Sequence, residues 1–462
     1  MPPAIDSGTT AWLLASSAMV LFMTPGLAFF YGGMSRSKSV LNMMMMSFSA
    51  LGIVTILWVL YGYTLSFGVD AGAHGLIGNL DLLGLKTITT ASATSGLADF
   101  VFVAFQMLFA CITVALISGA IADRTKFGGW VLFVILWITI VYFPVAHWVF
   151  AFGTPLGDSK GPGGAGAAAG YAAGTGGWIV SKLGALDFAG GTAVHINAGA
   201  GALAAVLVIG KRKGFGREAM RPHNLPLVLI GTGILWFGWF GFNAGSALVA
   251  NGLAGLAFVN TQVATASALI GWIGTERLRD GHATTLGAAS GAVAGLVAIT
   301  PACGSITPVG AILLGLLAGG LCCIAVTWKH RGGYDDALDV VGVHLVGGIA
   351  GTLMIGLLAS DTSTGVHSLR GLFYGGGFTL LGKQAVAAGA VLIYSFVLTY
   401  IIARVVQATI GFRVTEEEEI VGVDQTVHAE TAYDFLGGLG STTTGLSATS
   451  VSAGAHAQEV RT

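Results

Sequence analysis

Residues 187–203 read DFAGGTAVHINAGAGAL, and residues 339–353 read DVVGVHLVGGIAGTL. Each stretch opens on an aspartate, runs through small and apolar residues to a Val-His pair (His195, His344), and continues in glycine and alanine. An ionisable side chain within such a run is costly in lipid and marks function by default. One such histidine alone could be a core residue bonded to a neighbouring helix. Two in matching local sequence point to a repeated unit. Asp187 and Asp339 each stand where an N-cap is wanted; Asp187 either caps alone or also shapes a binding site.

The sequence around these stretches is that of a membrane protein. Of 462 residues only 9% are charged and 54% are hydrophobic, whereas an ordinary soluble domain carries about a quarter charged residues. Segments free of Asp, Glu, Lys and Arg cover 7–35, 39–69, 100–122, 127–157, 188–210, 222–275, 281–328, 340–360 and 384–403. A helix needs about 20 apolar residues to span the hydrocarbon core. The segments 222–275 and 281–328 are each long enough for two helices, with breaks at Asn251-Gly252 and between Pro301 and Pro308. Seven single spans and two pairs predict an all-α polytopic membrane protein of eleven helices. The uncharged stretch 161–181 holds eight glycines and a proline with almost no large aliphatic residues, and reads as a flexible loop.

An odd number of spans puts the termini on opposite sides. With the N-terminus outside, the inner loops carry thirteen Lys and Arg and the outer loops five, so the positive-inside rule predicts a cytoplasmic C-terminus in a cell membrane. No positive residue precedes the first span, which argues against a cleaved signal peptide. The net charge of −1 excludes nucleic-acid binding by a basic surface. Cys111, Cys303, Cys322 and Cys323 all fall in apolar runs without metal spacing, and read as buried small hydrophobes; no metal or cofactor is expected.

His195 and His344 belong to the fifth and tenth spans. Two five-helix halves have opposite orientation because five is odd, which is an inverted repeat with an eleventh helix outside it. Each histidine then enters from an opposite face and both can meet near the midplane. Glycines four residues apart, such as Gly241/Gly245, Gly315/Gly319 and Gly347/Gly351, let helices approach closely. Phe109 and Phe242 are candidates for a constriction of the resulting pore, or for simple packing. His147, at the end of the fourth span beside Trp148, reads as interfacial.

Several stretches together resemble the ammonium transporter (Amt/Mep/Rh) family: FYGG at 30–33, the run from Phe105-Gln106 to Cys111, DFAGGTAVHIN from Asp187, PHNLP at 222–226, GWFGFNAGS at 238–246, TPACG at 300–304 and DVVGVH from Asp339. The likeness runs from about residue 10 to 435 and is to the bacterial type. It implies a homotrimer with a pore in each protomer, conducting ammonium-derived ammonia. It further implies that His195 and His344 are paired pore histidines and that Phe109 and Phe242 form a gate above them. Ser246 matches a serine that accepts a hydrogen bond from ammonium, and Asp187 an acid that supports that site without touching the ion. The chain departs from the family at the vestibule tryptophan, whose place is taken by Phe150; either Phe150 or Trp178, beyond the Gly/Ala insertion, supplies the aromatic wall.

These expectations divide the chain into a membrane domain, 1–413, and a cytoplasmic tail, 414–462. Thr415 and Glu418 can form a capping box, and DQTVHAETAYDF (424–435) resembles the family's tail, which docks on the protomers and on a PII-type nitrogen signal protein. A solvated acidic tail is the other reading. Residues 436–462 are rich in Gly, Ser, Thr and Ala and read as disordered. A sensor that binds at Ser246 but conducts little is the rival function; an enzyme using the two histidines lacks a nucleophile or a metal-ligand set.

Overall fold

The protein, a computed structural model, is described over residues 5–94, 96–152, 176–361 and 370–433. Most of the Gly/Ala insertion, and the end of the tail read above as disordered, lie outside these residues. Among the described residues, ten helices are long and apolar enough to cross a membrane: α1 (Ser7–Met34), α2 (Val40–Phe67), α3 (Asp99–Ile121), α4 (Phe127–Phe150), α5 (Gly191–Ile209), α6 (Leu225–Gly245), α7 (Gly252–Asp280), α9 (Pro308–Gly332), α10 (Val341–Leu358) and α11 (Thr379–Thr409). The shorter α8 (Thr285–Ile299) completes the expected eleven. At 1.5 Å per residue its 15 residues fall short of the hydrocarbon thickness; the buried turns from 300 to 306 carry the chain onward.

The two long segments divide where the sequence breaks them. Asn251 accepts from the amides of Leu253 and Ala254 and so starts α7. Thr307, followed by Pro308, accepts from Gly310 and starts α9. The glycine pairs seat neighbouring backbones: a Cβ on Gly315 would meet Ala264 O at 2.3 Å, and one on Gly319 would meet Ala268 O at 2.1 Å, both on α7. Along the chain α1 packs on α6, α7 on α8 and α9, and α11 on α5 and α10. The architecture is the all-α inverted repeat with an added eleventh helix. All four cysteines are buried.

The chain turns at one face through the ends of odd-numbered helices, where the loop charges are paired. Arg212 forks onto Asp335 (2.9 and 2.8 Å) and reaches Asp123 at 3.0 Å. Arg36 lies 3.2 Å from the same Asp123 carboxylate. Arg124, wholly buried, donates to the carbonyls of Gly210 and Asp335, and burial lowers its guanidinium to about 10, which leaves it charged at neutral pH.

The tail is part of this face. The capping box forms, with Thr415 Oγ1 accepting from Glu418 N and Glu418 accepting from Thr415 N, and starts α12 (Glu416–Val421). From it the buried Glu419 receives Arg413 at 2.7 Å and Lys213 N at 2.8 Å. In α13 (Val423–His428), Asp424 accepts from Leu41 N and Asn42 N at 2.9 and 2.8 Å. The first turn of α2 is thus capped by a residue more than 380 positions away.

Candidate functional site

Phe109 on α3 and Phe242 on α6 face one another with ring centroids 4.0 Å apart and planes within 14°. Both are buried. Immediately beyond, His195 lies 6.4 Å from Phe242, and its Nδ1 is 3.2 Å from the Nδ1 of His344. One of the two nitrogens therefore donates and the other accepts. Trp239 stacks on His195 at 5.5 Å, its own indole N–H held by Thr300 Oγ1. A narrow cavity continues past the rings, lined by Trp239, His195, His344, Tyr31 and apolar side chains including Leu116 and Val293. The Tyr31 hydroxyl is turned onto the carbonyl of Leu116, which leaves the imidazoles as the polar groups of a largely hydrocarbon wall.

The backbone places the two rings reciprocally. His195 lies in a π turn, Gly191–Ile196, at the start of α5, and His344 in another, Val341–Leu345, at the start of α10. π turns recur at functional sites. Four residues beyond His195, a Cβ on Gly199 would meet Leu345 N at 2.5 Å; four beyond His344, one on Gly348 would meet His195 Cβ at 3.1 Å. Two small residues thus let the backbones touch where the histidines meet.

Asp187 caps α5. Its carboxylate accepts from the amides of Gly190, Gly191 and Thr192 at 2.6–2.7 Å, and from the Thr192 hydroxyl. Asp339 does not play this part for α10. It has a left-handed backbone, φ 66, and pairs with Lys329 at 2.6 Å. The cap is Asp336, buried, accepting from Val340 N and Val341 N at 3.1 and 2.7 Å. The reason is geometric: a cap must precede its π turn by several residues. Asp336 stands eight residues before His344, as Asp187 stands eight before His195, and that spacing was available in the sequence to find it.

Beside the phenylalanine pair, Ser246 follows α6 and its hydroxyl donates to Phe242 O at 2.7 Å. With its hydrogen engaged, the serine has only lone pairs to offer. Phe150 is buried and meets Phe109 edge-on at 6.2 Å, whereas Trp178 packs on Trp148 at 5.7 Å. His147 is not interfacial, as its place at the helix end suggested. It is 1% exposed, because residues 70–78 and 176–183 fold over this end of α4.

A profile of the Ammonium Transporter Family matches residues 11–433. An ammonium transporter of Mycobacterium tuberculosis (strain ATCC 25618 / H37Rv) is 56% identical over 455 residues, covering 94% of this chain and 92% of that protein. One of Bacillus subtilis (strain 168) is 44% identical, covering 93% and 99%. Among solved structures, Saccharomyces cerevisiae Mep2 superposes with a TM-score of 0.79 at 32% identity, covering 90% of this chain and 89% of that one. A structure described as a sensor Amt protein superposes at 0.80 with 30% identity, covering 90% and 97%. Fold and pore define a polytopic membrane transporter. The chain belongs to the ammonium transporter family.

Proposed function

We propose that the protein conducts ammonia derived from ammonium, with recognition at the gate-side mouth, proton loss at the phenylalanine pair, and passage of the neutral molecule past His195 and His344. The observation that carries this reading is the stacked Phe109/Phe242 pair directly above two mutually hydrogen-bonded histidines in an otherwise apolar passage. At the mouth, an aromatic face attracts a cation by about 2 kcal/mol or more when desolvated, and Phe150, packed on the gate, is the wall in this reading. Ser246, restricted to accepting, suits an ion that carries only donors. Potassium, of similar size, can also be coordinated by that oxygen, so the discrimination falls to the proton loss that follows. A bare cation between the phenylalanines would lose its hydration in a hydrocarbon surrounding; leaving the proton behind removes that cost. The imidazoles then offer one donor and one acceptor to a molecule able to use both. Asp187 keeps the α5 entrance in shape while its oxygens are occupied by the helix.

The same reading orients the tail face to the cytoplasm, divides the chain into a membrane domain, 1–413, and a tail, 414–462, assembles three copies, and offers the tail face to a PII-type nitrogen signal protein. The paired loop charges and docked tail support a shaped cytoplasmic surface. The test is methylammonium uptake or ammonium-dependent current in proteoliposomes. Flux above protein-free liposomes is expected; none, with binding retained at Ser246, would establish the sensor instead.

A further inference from the structure

Beside the mouth lies a buried histidine that the proposed pathway does not use. The Nδ1 of His147 is 3.1 Å from the carbonyl oxygen of Ser66. A carbonyl can only accept, so Nδ1 carries hydrogen. The other ring nitrogen, Nε2, lies 3.5 Å from Asp70 Oδ1, with side chains 1% and 4% exposed. Neither of these two atoms has a hydrogen-bond partner among the described residues. A neutral ring would then point a lone pair at a carboxylate oxygen, two acceptors face to face and cut off from water.

Asp70 connects this contact to the aromatic residues of the mouth. Its second oxygen accepts from Gly75 N at 2.7 Å. The Gly75 carbonyl accepts from Trp178 N at 3.0 Å, and the next carbonyl, Leu76 O, accepts from Trp148 Nε1 at 2.8 Å. The turn around Gly75 is thus tied below to His147 and above to Trp148 and Trp178, which meet edge-on. On the same helix, three residues on, is Phe150.

We infer that His147 and Asp70 share one proton between Nε2 and Oδ1, and that this pair is the positioning device that holds the aromatic wall of the mouth at the affinity-setting distance from the gate. The proton turns two opposed acceptors into one charge-assisted hydrogen bond, which is shorter and stronger than a neutral one. Neither residue touches the permeant. Their effect falls on recognition and leaves the passage beyond the gate alone. The inference rests on the transport reading for its functional half and on the hydrogen-bond geometry for its structural half.

The experiment takes the full chain, wild type, His147→Gln and Asp70→Asn, reconstituted in liposomes with methylammonium as the probe. Each variant is expected to raise the half-saturation concentration about five-fold, equivalent to about 1 kcal/mol, with maximal flux per inserted protein unchanged. In parallel, nitrogen-15 histidine spectra of the solubilised wild type at pH 8, where exposed imidazoles are neutral, should show a downfield proton on a ring Nε2. Asp70→Asn should abolish it. Unchanged half-saturation in both variants, or a wild type without that proton, overturns the proposal. A fall in maximal flux alone would make the pair a packing element and overturns it too. Absence of flux from the wild type would refute the transport reading, while the spectrum still decides the shared proton.

Discussion

At the scale of single residues, the proposed pathway gives the Phe109/Phe242 rings and the imidazoles different duties, and they should fail differently. In that pathway Phe109 and Phe242 form the gate, so Phe109→Ala or Phe242→Ala should alter conductance or selectivity in protein that still folds. Flux per folded protein and potassium leak are the measurements; loss of folding with unchanged flux per molecule would make the rings packing residues. His195→Asp or His344→Glu places a carboxylate in the passage and should admit potassium, read as potassium current under a gradient. Replacing both by alanine should cut ammonium-driven uptake at equal surface amount. The two histidines stood out in the sequence because an ionisable side chain at matching places in two apolar runs is costly in lipid; the two phenylalanines read equally as constriction or packing, and Ser246 was singled out only by the family resemblance. The true depth of His147 was not legible. Its burial comes from two segments that fold over the end of α4 from positions about 70 residues before it and 30 after it, a tertiary event with no local signal.

Among the elements, the eleven helices and their breaks could be read from charge spacing alone, since Asn251 and Thr307 announce their helices by side-chain chemistry. The π turns could not, because a single wider turn leaves no periodicity to detect. The cap of α10 was misplaced by three residues, at Asp339 in place of Asp336, since the aspartate nearest the Val-His pair drew the comparison. Asp336→Ala should therefore cost about 1 kcal/mol as a lost cap and disturb His344, whereas Asp339→Asn should lower activity less; thermal unfolding and uptake together distinguish them. Gly199→Ala should harm uptake more than Gly348→Ala, because the first drives a methyl into backbone and the second meets a margin of a few tenths of an ångström. Equal losses would show that the crossing of α5 and α10 relaxes.

For the whole molecule, the tail is the clearest case of one region completing another. Asp424→Ala should leave the amides of Leu41 and Asn42 uncapped, cost about 1 kcal/mol, and expose residues 414–433 to protease. The ion pairs beneath it give the face an acid limit. Burial pushes the Asp335 carboxyl up, but its bonds to Arg212 and the nearby Arg124 outweigh this and hold it below the ordinary range. A depressed acid stabilises above its unfolded value and loses that contribution as pH falls through the folded one. The contribution of the Arg212–Asp335 pair should thus persist at pH 5 and fade only below about 4, read as thermal unfolding across pH in wild type and Asp335→Asn. A difference between the two that is already gone at pH 6 would mean that this pair does not stabilise the face. Long apolar side chains stand exposed on α1, α6, α7 and α9, among them Phe22, Phe237, Phe258 and Leu317, as faces meant for lipid or for neighbouring copies. Native mass spectrometry of the detergent-extracted protein should give a trimer, and a monomer would remove that part of the proposal.

The contact between the two Nδ1 atoms has a consequence for symmetry. The fold is two equivalent halves turned against each other, yet the hydrogen at their centre cannot be divided. One ring must own it, and that ring then shows a lone pair at Nε2 while its partner shows an N–H. The centre of the two inverted halves is thereby polarised by a single hydrogen atom. Exchange of that atom between the rings, with a compensating move at the far nitrogens, reverses the polarity without moving a helix.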